Sequence, residues 1–113
     1  MKPFELFIAS ISWESGSKSR PVLVLQKNNS VVSVFPVTTQ YENKSKAIQA
    51  QYFKINDWSL SGLDKQSYID TGTLLDLPLN VLEKKKPIGK LTFADMQRLL
   101  VFLSGNAKSK KHD

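Results

Sequence analysis

Cysteine is absent from this 113-residue chain, and its one histidine, His112, is the penultimate residue. Without thiols there is no disulfide scaffold, no thiol nucleophile and no zinc ribbon. His112 falls in a terminus expected to be mobile. The usual general base and the commonest metal ligand are therefore missing. The carboxylates show no D-x-D spacing, so a dedicated metal site is not expected. No glycine-rich phosphate loop with a lysine occurs. No apolar run approaches the ~20 residues needed to span a bilayer. No charged segment followed by a long apolar stretch opens the chain. These absences point to a soluble, cytoplasmic protein. If it is an enzyme, it works without cofactor, histidine, cysteine or an evident metal.

What is present is ordinary in bulk and uneven in charge. Hydrophobic residues make up 41% and aromatics 10%, enough for one small core. We expect a single domain over residues 1–105 and a disordered basic tail over 106–113. The formal net charge is +6. Residues 107–113 contribute +2 of it, so the rest of the chain is basic as well. Such a surface favours nucleic acid or an acidic protein partner.

The residue pattern reads as short strands and one clear helix. Glu5 to Trp13 alternates, with Phe7, Ala9, Ile11 and Trp13 on one face and Leu6 and Ile8 on the other. Glu14 to Arg20 reads as a polar, flexible loop. Pro21 opens a strand, Val22 to Leu25, that is apolar to both sides. Lys27 to Ser30 is a turn, and Val31 to Val37 a third strand, so residues 21–37 form a hairpin. Tyr41 to Ile48 reads as an exposed loop and Ala50 to Ile55 as a fourth strand. Asn56 to Gln66 is a connection. Ser67 to Leu77 reads as one further strand, weak near Gly72. Leu79 to Leu82 suggests a helical turn and Ile88 to Leu91 a last short strand. Phe93 to Ser104 is a helix, with Thr92 and Asp95 as a capping box and Gly105 as its stop. Phe93, Met96, Leu99, Leu100 and Leu103 form its apolar face. Five or more short strands with a terminal helix suggest a small barrel.

Lysine outnumbers arginine fourteen to two. One of the two arginines, Arg20, directly precedes the apolar strand. Thr38 ends the other strand of the hairpin, in Phe35-Pro-Val-Thr-Thr-Gln40. The start of one antiparallel strand lies beside the end of the other, so Arg20 and Thr38 should be neighbours. A guanidinium fork and a hydroxyl at one hairpin mouth make a phosphate site. The plain alternatives are a solvated loop charge and a threonine that merely ends a strand.

Two segments resemble the signature stretches of MazF/PemK toxins. These are Ser15-Gly-Ser-Lys-Ser-Arg-Pro-Val-Leu-Val-Leu25 and Phe35-Pro-Val-Thr-Thr-Gln40. Ser61-Gly-Leu63 with Ser67, and Ile88-Gly-Lys-Leu91 before a C-terminal helix, follow in the family's order. The resemblance covers roughly residues 5 to 104. It implies a mainly β fold with a C-terminal helix, an SH3-like barrel of the MazF/PemK/CcdB type. It also implies a homodimer and a toxin of a type II toxin–antitoxin system. Such a toxin cleaves single-stranded RNA, is restrained by a cognate antitoxin, and meets DNA only through that antitoxin. Arg20 and Thr38 fall on the family's catalytic positions, and Asp70 on an aspartate proposed as general base. RNA contacts are implied for Glu14, Gly16, Ser17, Lys18, Ser19, Thr39, Gln40 and Ser67. The sequence departs from the pattern in the loop acid, where Ser15 stands and Glu14 is displaced by one. It departs again where Thr73-Leu-Leu75 replaces an Arg-Thr-Ile stretch.

The expected reaction is attack of the RNA 2′-hydroxyl on the adjacent phosphorus, leaving 2′,3′-cyclic phosphate and 5′-hydroxyl ends. Glu14 is the other candidate base. Two alternatives differ in class. A gyrase-binding toxin like CcdB would end its helix in aromatic residues, and this chain ends in lysine and histidine. A non-catalytic SH3-like nucleic-acid binder would not need the Arg20 and Thr38 pair.

Overall fold

The computed structural model describes residues 1–111, and the side chains of all of these but Trp13 and 106–111. Seven strands form one mixed-order sheet: β1 (Glu5–Trp13), β2 (Gly16–Lys27), β3 (Val31–Thr38), β4 (Tyr52–Lys54), β5 (Tyr68–Asp70), β6 (Leu75–Pro78) and β7 (Gly89–Lys90). Helices α1 (Lys46–Gln49), α2 (Asn80–Glu83) and α3 (Phe93–Lys111) are interspersed. The strand order is β4-β5-β3-β2-β1-β7, with β6 also on β3. All pairings are antiparallel. The sheet makes half of a barrel and carries the C-terminal helix, the fold expected from the sequence.

The core is double because the central strands are apolar on both faces. Leu6, Leu23, Phe35 and Val37 point into one cluster with Phe53, Ile55, Ile69, Leu91 and Leu99. Phe7, Ala9, Val22, Val24, Val32 and Val34 point the other way, against Leu82 of α2 and the partly buried Leu75 and Leu77. Strand alternation thus gives each central strand two buried rows. The apolar run at Val22 to Leu25 is accounted for within one protomer.

Several expectations are corrected. Glu14 to Arg20 is not a flexible loop: β1 and β2 pair without a break from Leu6 and Leu23 to Trp13 and Gly16. Glu14 and Ser15 alone form the turn. Two-residue hairpins match strand twist, and the ladder that follows satisfies backbone groups a loop would leave to water. The segment Ser67 to Leu77 is two strands. β5 pairs with the end of β3 and β6 with its beginning, and Gly72 lies in the turn between them, where the Asp70 carboxylate accepts its N–H at 3.0 Å. The stretch read as the loop Tyr41 to Ile48 contains the start of α1, capped by the Ser45 hydroxyl.

The terminal helix differs in its face and its end. Asp95 N–H donates to the Thr92 hydroxyl at 3.2 Å, as a capping box requires. The Asp95 carboxylate does not reach back to Thr92, however. It is fully buried and accepts from the backbone of Asn56 and Asp57 and from Arg98. The Thr92 hydroxyl in turn donates to Asp57. This knot fixes the rotation of α3. Leu99 is buried, Met96, Phe102 and Leu103 pack on the first core, and Phe93 and Leu100 are left 73% and 51% exposed. Both had been placed on the apolar face. The helix runs past Gly105 to Lys111, since glycine weakens a helix without ending it. The backbone of the expected tail is helical that far, and His112 and Asp113 lie outside the described residues.

Two landmarks of the sequence, Ser61-Gly-Leu63 and Ile88-Gly-Lys-Leu91, meet in space. A Cβ on Gly62 would land on the Ile88 carbonyl, and one on Gly89 would land on the Ser61 carbonyl. Gly62 also has φ +90°, a region that favours glycine. The two segments cross backbone to backbone, which seats β7 beside β1. Gly89→Ala should therefore lower stability by about 1–3 kcal/mol, as overpacking does. A denaturant melt matching the parent within error would show that the crossing is not tight.

Candidate functional site

The site grows out of strand alternation. On β2, Arg20 shares the face of Val22 and Val24, and it pairs with Ala9 of β1. On β3, Thr38 shares the face of Val32 and Val34. Val22 pairs with Pro36, so continuing the ladder by two residues sets Arg20 opposite Thr38. Where the apolar residues of the second core stop, these polar residues take their place on the same face. Arg20 and Thr38 line one cleft of about 170 Å³ with Lys18, Ser19, Pro21, Val37, Thr39, Gln40 and Ser67.

The hydrogen bonds in this cleft leave particular donors available. Thr38 Oγ1 accepts the backbone N–H of Gln40 at 3.0 Å. That bond occupies a lone pair and leaves the hydroxyl proton to donate outward. The Gln40 side-chain carbonyl is held by Asn43. Arg20 Nε is buried and has no hydrogen-bond partner among the described residues. Leaving a buried donor unmade is costly, so an acceptor that enters the cleft would relieve that cost. Ser67 is buried, and its hydroxyl donates to the Lys65 carbonyl at 2.9 Å, so it shapes the wall.

Asp70 stands one row further along. Thr38 pairs with Tyr68 of β5, and Asp70 lies two residues on, on the same face. It is partly buried and borders the cleft without lining it. Tyr52 of β4 pairs with Asp70. Burial raises the Tyr52 phenol pKa above its ordinary value, the Asp70 carboxylate raises it further, and the Arg20 guanidinium opposes both. Tyr52 is thus kept neutral within the fields of Asp70 and Arg20. The structure does not bring in the far end of the hairpin. Glu14 is exposed in the turn, six residues along β2 from Arg20 and so roughly 20 Å away. Gly16 and Ser17 are also exposed near that end, and none of the three lines the cleft.

Sequence reasoning missed three tyrosines beside the site. Tyr41 stacks on Tyr68 with ring centroids 4.4 Å apart and planes 13° apart. Tyr52 lies 6.3 Å from Tyr41 at a tilt of 47°. The alternation of Tyr52-Phe-Lys54 and Tyr68-Ile-Asp70, with one buried apolar residue between two partners of the opposite face, could have signalled them.

A larger cavity lies elsewhere, a groove of about 500 Å³ between β4 and α3 lined by Phe53, Lys54, Gln97, Arg98, Val101 and Phe102. Arg98 there is engaged by Asp95 at 2.6 Å and lies over the Phe53 ring. The groove is lined mostly by apolar surface, and Lys54 is its one lining cation that no carboxylate engages among the described residues. Among the described residues no three histidine, cysteine or acidic side chains cluster to hold a metal. No helix there is long and apolar enough to cross a membrane.

A half-barrel sheet with a cationic cleft at one end and a terminal helix is a fold whose function must be argued from its site and its relatives. A family model described as PemK-like, MazF-like toxin of type II toxin–antitoxin system matches residues 2–104. The chain belongs to this family of toxins. Among solved structures it is similar to Mycobacterium tuberculosis toxin MazF-mt6, with a TM-score of 0.69 and 24% identity over 93% of this chain and 96% of that one. The search of curated proteins found no match.

If the unpaired Arg20 Nε serves a ligand and not the fold, Arg20→Met should melt no lower than the parent and up to several degrees higher, since removing an unmade buried donor relieves ~1–3 kcal/mol. A fall of several degrees on thermal denaturation would assign Arg20 a structural role.

Proposed function

We propose that this toxin is a metal-independent endoribonuclease that cuts single-stranded RNA in the cleft between β2 and β3. The observation that supports this reading best is the pairing of two unspent donors, Arg20 Nε and the Thr38 hydroxyl, on one cleft wall. The RNA 2′-hydroxyl attacks the adjacent phosphorus, its proton leaves to a base, the P–O5′ bond breaks, and the departing O5′ takes a proton from water or from the protonated base. Products are a 2′,3′-cyclic phosphate and a 5′-hydroxyl. Charge builds on the non-bridging oxygens, and preorganised donors there lower the barrier. Arg20 supplies a planar fork and Thr38 a single donor. A guanidinium holds its protons too firmly to be an efficient acid, so Arg20 acts first as a clamp. Asp70 is the nearer of the two candidate bases, because Glu14 lies at the opposite end of β2. Lys18, Ser19, Thr39 and Gln40 line the cleft and serve as contacts to the flanking strand.

The experiment is incubation of the purified protein with a long RNA in EDTA, with the ends mapped. Cleavage should persist. Loss of activity on chelation, restored by a divalent ion, would overturn the metal-free mechanism. Arg20→Lys should be nearly as damaging as Arg20→Ala, because the charge remains and the fork is lost. Each should cost at least ~10²–10³ in single-turnover rate, and Thr38→Val somewhat less. Arg20→Lys cleaving within a few-fold of the parent would mean that a point charge suffices. An equimolar acidic antitoxin should suppress cleavage by filling the basic cleft, in the cytoplasm where its RNA substrates are.

The reading includes a homodimer, with α3 at the interface. Phe93, Leu100 and Val101 are 73%, 51% and 72% exposed about two turns apart on one side of α3, with Gln97 between them, apolar surface one protomer leaves in water. Sedimentation should give a dimer at micromolar concentration, and Leu100→Glu should shift it to monomer without unfolding it. A monomeric parent would exclude this assembly.

A further inference from the structure

The tyrosine cluster is the feature next to the cleft that neither the chemistry nor the fold uses up. Tyr41 follows Thr38 by three residues, and Tyr68 pairs with Thr38 in the β3–β5 ladder. The stack of Tyr41 on Tyr68 is therefore tied to the cleft through the same residue that carries one of its donors. All three rings are only partly buried. Their phenol oxygens exchange no hydrogen bond with the described residues, so the hydroxyls do no internal work. A stack serving only to hold the loop after β3 would do as well with phenylalanine. Lys54 pairs with Tyr68 and the Lys44 N–H donates to the Tyr41 carbonyl, so the segments that carry the rings also carry lysines. Aromatic faces on lysine-bearing segments, along a line continuing from a phosphate site, are what an unstacked nucleobase meets in single-strand binders.

Resting on the ribonuclease reading above, we propose that Tyr41 and Tyr68, with Tyr52 beside them, receive a nucleobase of the RNA next to the scissile phosphate, continuing their stack. The base is held by its π-face, and the phenol oxygens are free to meet polar groups on its edge. The neutral state of Tyr52 between Asp70 and Arg20 suits such a role, since a phenolate would repel the phosphate nearby. Stacking a base here also fixes the ribose that precedes the phosphorus, which in-line attack demands.

The test uses a short, fluorescein-labelled 2′-O-methyl oligonucleotide of mixed sequence, which cannot be cleaved, and an abasic polymer of the same length. The parent should bind the base-containing probe about tenfold or more tighter, as expected for one base on an aromatic platform. Tyr41→Leu and Tyr68→Leu should lose that preference and bind the abasic probe as the parent does. Tyr41→Phe should keep most of it. If the parent binds both probes equally while Arg20→Ala weakens both, the base platform is wrong and the ribonuclease reading stands. If Arg20→Ala binds both probes like the parent and long RNA is left uncut, that reading falls and the inference with it. Should a leucine variant fail to fold, ring-proton shifts of the parent's tyrosines on titration with each probe decide the matter. Shifts caused by the base-containing probe alone support the platform, and equal or no shifts overturn it.

Discussion

The length of β2 governs the rest of the molecule. Its twelve residues run unbroken from the turn at Glu14 and Ser15 to Lys27, with β1 along one edge and β3 along the other. Over Val22 to Val24 both of its faces are buried. That burial fixes its register, because a slip of one residue would exchange the two cores. With register fixed, the side chains beyond the core have no choice of face. Arg20 must project beside Ala9 and Thr38, at the point where the second core gives way to solvent. The same rows that exclude water at Val22 and Val34 thus position a guanidinium two residues later.

A second constraint holds the opposite side of the sheet. The buried Asp95 carboxylate accepts two backbone N–H groups and the Arg98 guanidinium. A buried charge is tolerated when it is fully hydrogen-bonded. Its partners lie just after β4 and on α3, so one side chain locks the helix to the strand that also carries Tyr52. The crossing of Gly62 and Gly89 closes the first core below. Neither feature touches the cleft. The Asp95 bonds hold the chain just after β4, the strand that carries Tyr52.

Much of this was legible in the chain. The strands at Glu5 to Trp13 and Val31 to Val37, the last short strand and the helix start follow from alternation, turn residues and a capping signal. The nearness of Arg20 to Thr38 follows from hairpin geometry alone. What was not legible depended on partners distant in sequence. Glu14 to Arg20 is polar and looks like a loop, and becomes a strand because β1 offers it an unbroken ladder. Ser67 to Leu77 looks like one strand, and divides because β3 is long enough to pair with its two halves at different ends. The helix face turned away from Phe93 and Leu100 because Asp95, a residue that reads as surface, is buried in a polar knot. Alternation marks Tyr52 and Tyr68 as sharing a face of their strands, but their stacking with Tyr41 was not legible, since the three come from a loop and two strands.

The use of arginine in a lysine-rich chain makes a final point about the cleft. Lysine's ammonium is compact and strongly hydrated, whereas guanidinium is planar and sheds water more easily. The surface cations here are lysines, as solvation favours. The two arginines stand where the side chain is partly withdrawn from water. Arg98 is engaged through Nη1 by Asp95 and the Lys54 carbonyl, with its plane over the Phe53 ring. Arg20 sits in comparable surroundings with Nε unmatched. If its purpose were only to add charge, any exposed lysine would do so without the cost of an unmade buried donor. The arrangement makes sense when an acceptor presenting two oxygens completes it, as the two non-bridging oxygens of the proposed phosphodiester would.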